Sequence, residues 1–152
     1  MTEFREQLLV KLGLRFGTNG PHAARTMMLD DLRILFAHVP ANAAQADYAR
    51  AVFADNMLGK PTKKSRELAL KYLTTLYGLD TKFPLFRALR RLWPIDEGAQ
   101  PVLALAAALA RDPLLRSTQT FILSMPPGAV VTREDLEKCL AGDHPDRFSS
   151  VR

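Results

Sequence analysis

Proline and glycine cut this chain wherever a helix could end, and the apolar residues between the cuts recur at spacings of three and four. That combination constrains the fold more than any other feature. Alternating runs rich in Val, Ile and Thr, which strands would require, are missing. The expected fold class is all-α, a compact multi-helix bundle of about seven to eight helices. A length of 152 residues suits one ordinary domain, so a single helical domain over residues 1–152 is expected.

The punctuation assigns the helices. A first runs from about Glu3 to Leu12 with Phe4, Leu8, Leu9 and Leu12 on one face. Gly13 to Pro21 is a loop. A second spans about His22 to His38, with Met28, Leu32, Leu35 and Phe36 as its stripe, and Pro40 ends it. A third covers about Ala44 to Leu58, with Tyr48, Val52 and Phe53 in the core and Gly59 closing it in the left-handed conformation. Thr62 is the N-cap of a fourth, about Lys63 to Tyr77, whose inward residues are Ala69, Tyr72, Leu73 and Leu76 and whose C-cap is Gly78. The fifth starts near Phe83 with Pro84 in its first turn, points Leu85, Leu89 and Leu92 inward, and stops at Pro94. The sixth, about Pro101 to Ala110, is apolar on every side and belongs in the middle of the bundle. Asp112 caps a seventh that runs to about Met125. Thr132 caps an eighth that ends before Gly142. Ser149 or Ser150 reads as the N-cap of a further helix, so the C-terminus is expected to be truncated.

Composition excludes several classes. Hydrophobic residues make up 47% and charged residues 24%, which is globular rather than disordered. The longest apolar run, Val102 to Ala110, is far short of the roughly 20 residues of a membrane span. The charged N-terminus lacks the apolar core of a signal peptide, and the lone Cys139 permits no internal disulfide. A cytoplasmic protein without membrane contact is expected.

Charge is local. The net charge is +5. Between Lys60 and Arg91 lie nine basic residues against Glu67 and Asp80, a balance of +7, which leaves −2 for the rest. Lys63, Lys64 and Arg66 crowd the first turn of the fourth helix, where positive charge opposes the helix dipole, and Lys71 follows. Arg87, Arg90 and Arg91 stand at i, i+3 and i+4 and are expected to share one face, with an anion offsetting their repulsion. Phosphate fits the guanidinium fork. The same charges are compatible with a solvated face or with an acidic protein partner.

Signals for catalysis or cofactors are weak. His22, His38 and His144 are far apart, with no metal-ligand spacing among them. Cys139 sits beside Leu136 and Leu140 as a small hydrophobe would. Gly13, Gly17 and Gly20 follow no strand, although Arg15 among them keeps a phosphate-binding loop open. Asp30 and Asp31 diverge by about 100° on a helix. Phe83, Phe86 and Trp93 could stack bases, yet their spacing is that of core residues. No cofactor, metal or catalytic residue is expected.

Longer strings carry a resemblance. ADNMLGKPTKKSRELALKYLTTLYGLD, PLFRALRRLW and ALARDPLLR, preceded by ARTMMLDDLRILFAHVP, resemble the BrxA family, the small component of bacteriophage-exclusion (BREX) defence systems. The resemblance spans about Thr18 to Arg152. It implies an all-helical, NusB-like bacterial protein that binds DNA and works beside other defence-system proteins. The function expected on these grounds is a non-catalytic nucleic-acid-binding accessory of phage defence, with duplex DNA as the ligand. A protein-docking assembly subunit and a NusB-like RNA binder are the alternatives. Lys63, Lys64, Arg66, Lys71, Arg87, Arg90 and Arg91 are the expected contacts, chosen on charge.

Overall fold

The computed structural model describes residues 2–17 and 27–143, with side chains over 3–17 and 27–142. All regular structure in these residues is helical. The elements are α1 (Thr2–Leu12), α2 (Leu29–His38), α3 (Gln45–Phe53), α4 (Lys63–Tyr77), α5 (Pro84–Leu92), α6 (Gln100–Arg111), α7 (Pro113–Ser124) and α8 (Arg133–Asp143), with a 3-10 turn at Glu97–Ala99. The chain is therefore an all-α multi-helix bundle. None of the described helices is long and apolar enough to cross a membrane.

The core forms where α2, α3, α4, α5 and α6 turn their apolar faces together. Leu32 and Leu35 from α2, Tyr48 and Val52 from α3, Leu73 and Tyr77 from α4, and Phe86 from α5 are fully buried. Each such side chain contributes roughly 1.5–3 kcal/mol by leaving water. Phe36 meets Trp93 and Phe86 edge-on at 5.1 and 5.9 Å, and Phe86 meets Tyr48 at 5.4 Å. Those are the tilted geometries that aromatic quadrupoles prefer. Of the aromatics interleaved with the arginines, Phe86 and Trp93 are therefore core residues. α6 is the hub of the bundle and touches α4, α5 and α7, while α8 packs on α7 and α1 on α5.

Local chemistry fixes several helix ends. Thr62 accepts from the Ser65 amide at 3.0 Å, and the Ser65 hydroxyl accepts from the Thr62 amide at 3.1 Å, a reciprocal cap for α4. Asp112 accepts from the Leu114 and Leu115 amides at 2.9 and 3.2 Å, with Pro113 supplying the helical φ next to it. Thr132 and Asp135 cap α8 in the same reciprocal way. Gly78 closes α4 at φ +91, and a side chain there would press on the Arg111 guanidinium, 3.4 Å from where its Cβ would lie.

Several boundaries differ from the sequence expectation. α2 begins at Leu29, because Met28 takes the left-handed conformation at φ 50 and serves as its N-cap. Residues 22–26 of that expected helix lie outside the described residues, as do Gly20 and Ser149–Ser150. α3 stops at Phe53 rather than near Leu58. The Arg50 carbonyl accepts from both Ala54 and Asp55, and Asn56 then turns left-handed at φ 49 with its side chain accepting from the Lys60 amide at 2.8 Å. Gly59 consequently closes that turn, bonding to the Asn56 carbonyl, and not the helix. On α5 the inward residues are Phe86, Leu89 and Arg90, whereas Leu92 is 46% exposed. On α6 a row of small residues, Ala104, Ala107 and Ala108, faces inward, so α4 and α5 approach closely while Val102 stays outside.

Candidate nucleic-acid interface

The basic residues divide by what their side chains touch. On α4, Lys63, Lys64 and Lys71 are exposed and Arg66 is half-buried. Arg66 turns back to α3. Its guanidinium donates to the Phe53 carbonyl at 3.1 Å and lies 5.8 Å from the Phe53 ring centre, while its Nε is buried without a partner. The Lys63 ammonium sits 5.9 Å from the other end of this cluster, the same Phe53 ring. Cation–ring contact of this kind holds a lysine without neutralising it. Lys64 and Lys71 are seven residues apart, two turns on one face. Glu67 stands between them, exposed, and within 4 Å no basic group of the described residues pairs with it.

Lys60, at the entrance to this turn, is already neutralised. Its ammonium meets Asp31 at 2.8 Å, and both side chains are largely shielded. Asp31 is thereby turned away from Asp30, which meets Arg33 at 3.3 Å. The two aspartates do not converge.

The α5 arginines do not form the expected shared face. Arg90 is 7% exposed and lies inside the bundle, stacked 4.1 Å over the Phe36 ring. It donates to the Phe36 and Val39 carbonyls at 3.2 and 2.5 Å. Those carbonyls belong to the end of α2 and the residue after it, where backbone acceptors lack helical partners. Arg90 is therefore a buried C-cap for α2, removed from any surface a phosphate could reach. Desolvation lowers its pKa, partly offset by the Tyr48 hydroxyl. Arg87 is exposed and donates to the Thr81 and Lys82 carbonyls at 2.7 and 3.1 Å, fastening the turn before α5. Arg91 is exposed. α4 packs on α3 and α6, and α5 on α6 and α1, with no extended contact between α4 and α5. The structure thus groups Lys63, Lys64, Arg66 and Lys71 as one cluster and leaves Arg87 and Arg91 as a separate pair.

Two arginines outside the expected set behave like Arg90. Arg111 donates to the Gly13, Thr74 and Thr75 carbonyls, joining the loop after α1 to the end of α4. Burial, with the nearby Arg15 charge, lowers its pKa to about 10. Arg116 donates to Leu109, Ala110 and Arg15 carbonyls and lies 5.1 Å from the Phe16 ring. The one sequence signal for them was an arginine placed against an apolar run at a helix end, with a capping Asp-Pro beside it. The loop they hold is not an anion cradle over residues 13–15. The Gly13, Leu14 and Arg15 amides bond to Val10, Leu9 and Ala110 carbonyls.

Among the described residues no group of three or more His, Cys, Asp or Glu could hold a metal ion. His38 bonds through Nδ1 to the Ile34 carbonyl at 2.8 Å, and Cys139 is half-buried with its sulfur 4.0 Å from the Ser117 carbonyl. His22 and His144 lie outside the described residues. No protein-family model matches this chain, and no characterised protein or solved structure shows significant similarity to it.

Proposed function

We propose that this protein is a non-catalytic nucleic-acid-binding accessory of a bacterial phage-defence system, with duplex DNA as its ligand. The observation that carries the reading is the first turn of α4. Lys63 and Lys64 are exposed on a helix start with no acidic residue in its first turn, with Arg66 braced beside them and Lys71 two turns on. Cations at that end of a helix cost stability. A capped, rigid helix that presents them anyway is suited to a polyanion. The resemblance of residues 54–80, 84–93 and 108–116 to the BrxA family supports the defence context and the NusB-like comparison. Contacts would go mainly to phosphates, giving little sequence preference.

Fluorescence anisotropy with a short duplex and a matched RNA hairpin tests this. Four phosphate contacts imply a log–log salt slope of about −3.6. Lys63→Glu with Lys64→Glu is expected to weaken duplex binding by about tenfold or more at low salt. Absence of binding to either ligand at low salt overturns the reading, and preference for the hairpin replaces DNA by RNA.

A protein-docking subunit is the second reading. It draws on the last turn of α7 and the segment after it, where Leu123 and Val130 are 73% and 81% exposed. Exposed apolar side chains suit a partner protein better than a nucleic acid.

A further inference from the structure

Between the start of α2 and the first turns of α4 lies a cavity of about 380 Å³. That is near the lower end of the range for small-ligand sites and leaves room for one compact group. Its apolar lining comes from two elements, Met28 and Leu29 at the start of α2 and Leu68 and Ala69 on α4. Asp31 and Lys60 supply its polar atoms. Ser65 also reaches the wall, but its hydroxyl is committed to the Thr62 carbonyl in the cap of α4. Asp30 marks the rim, with its side chain 91% exposed and its charge met by Arg33 at 3.3 Å.

Asp31 and Lys60 hold each other at 2.8 Å. Their charges cancel, so the cavity suits a neutral polar guest better than an ion. The contact engages Oδ1 of Asp31 and one of the three ammonium protons of Lys60. Among the described residues no other side-chain bond engages Oδ2 or the remaining protons. A carboxylate acceptor and an ammonium donor thus stand side by side with capacity to spare. Among the DNA bases only guanine carries two adjacent N–H donors beside a carbonyl on its Watson–Crick edge. Adenine and cytosine set one amino group beside a ring acceptor, and thymine has a single N–H between two carbonyls. Hydrogen bonds to that edge, with apolar side chains against the ring, are how proteins read a base taken out of the stack.

We propose that this cavity takes one unpaired guanine of a nucleic-acid strand, with Asp31 accepting from its N1–H and N2–H and Lys60 donating to its O6. The inference rests on the nucleic-acid reading of α4 and adds to it a preference that concerns the unpaired base alone. Position supports it. Lys64 and Lys71 stand four residues before and three residues after Leu68, so both lie in the row beside the cavity wall. Both are exposed. Seven residues separate them, roughly 10 Å along the helix axis, so they can meet phosphates on both sides of the guest nucleotide. A free nucleotide carries phosphate on one side only, and the bracket therefore favours a strand. Glu67 lies on the far side of that row from the cavity.

Anisotropy titrations of labelled short DNA duplexes test this, one fully paired and the others carrying a single extra unpaired guanine, adenine, cytosine or thymine. A base already unpaired costs least to draw out. The guanine bulge is expected to bind about tenfold tighter than the other bulges. Asp31→Asn keeps size but replaces half of the acceptor by a donor, and it is expected to bring all bulges to within about twofold of one another. The readout is a ratio between bulges, so a general change of charge near α4 cancels. Leu68→Trp fills the cavity and is expected to remove the same preference, with circular dichroism of both variants checked against wild type. Guanosine monophosphate is expected to compete at least about tenfold more weakly than the guanine bulge, and competition at equal concentration overturns the assignment to a strand. Equal wild-type affinity for every bulge overturns the inference, as does a guanine preference that survives both substitutions. In either case a paired duplex still bound through Lys63 and Lys64 leaves the nucleic-acid reading standing, whereas absence of binding to every duplex overturns both.

Discussion

A single arginine shows how a residue's role depends on what surrounds it. Arg90, Arg87 and Arg91 are chemically the same, yet Arg90 alone spans two carbonyls at the end of α2 and covers Phe36. Replacing it by Leu keeps bulk but strands both acceptors away from water, at a cost of about 1–3 kcal/mol. Arg90→Lys restores the charge without the planar fork and recovers only part of that loss. Arg91→Ala, at the exposed neighbour, is expected to stay within about 0.5 kcal/mol. Urea unfolding of the three variants orders them, and an Arg90→Leu protein as stable as wild type removes the capping role. Asp112 separates charge from capping in the same manner. Burial raises its pKa, against the Leu115 and Leu114 amides and the Arg15 and Arg116 charges, which lower it. Because its folded value is raised, the carboxyl takes up a proton more readily folded than unfolded, and its contribution to stability declines as pH rises through the window between the two values. Asp112→Asn keeps the cap without the buried charge, so it is expected to equal wild type at neutral pH and to flatten that pH dependence. Asp112→Ala loses the cap and about 0.5–2 kcal/mol. Thermal melts at acid and neutral pH read both, and equal losses for Asn and Ala contradict the assignment.

The helical elements themselves were legible in the sequence because punctuation is local. Thr62, Gly78, Pro84, Asp112 and Thr132 act within one turn of where they stand, and α4, α5 and α7 begin where those residues place them. What failed was facing. Leu85, Leu89 and Leu92 fit an inward stripe on α5 as well as Phe86, Leu89 and Arg90 do, and only the positions of Phe36 and Tyr48 from other helices select the second set. The α4 basic cluster was legible for the same local reason, whereas the burial of Arg90 depends on carbonyls more than fifty residues away. α1 shows the limit of periodicity most plainly. Its apolar spacing is real, yet Phe4 is 77% and Leu8 50% exposed in the described residues. At the opposite end of the chain, α8 rests on its cap. The Asp135 pKa is lowered by hydrogen bonds from the Thr132 hydroxyl and amide, with Lys138 adding a smaller pull. With a depressed folded value, the cap is present above the ordinary aspartate range and lost as pH falls below it. Amide protection in the first turn of α8, taken relative to the intrinsic exchange rate at each pH, is therefore expected to fall on acidification before protection in α4 does. Simultaneous loss in both helices means that this cap is not what limits α8.

At the scale of the whole molecule, the net charge of +5 is less informative than where opposing charges sit. Lys60 is bound to Asp31, Arg90, Arg111 and Arg116 are spent on carbonyls, and Arg87 fastens a turn. Among the described residues, the α4 group is the largest set of remaining cations held on one element. Within that group Glu67 lies one turn from both Lys63 and Lys71 and is the single carboxylate there. A phosphate approaching the lysines must come close to it. Were the surface merely solvated, Glu67 would act as an i,i+4 partner worth a few tenths of a kcal/mol to the helix, and its removal would be felt only in stability. On a nucleic-acid surface its removal acts on binding as well. Glu67→Gln is expected to tighten duplex binding about three- to tenfold at low salt, an effect of about 0.7–1.4 kcal/mol, and to lose most of that gain once salt shortens the screening length to that of the lysine spacing. Arg91→Glu, on the separate α5 pair, is expected to leave duplex affinity within about twofold under the same low-salt conditions. Anisotropy titrations of both variants at two salt concentrations decide between a solvated face and a phosphate-binding one. A Glu67→Gln protein with unchanged affinity, or an Arg91→Glu protein that loses as much as the Lys63 and Lys64 reversals, moves the surface away from α4.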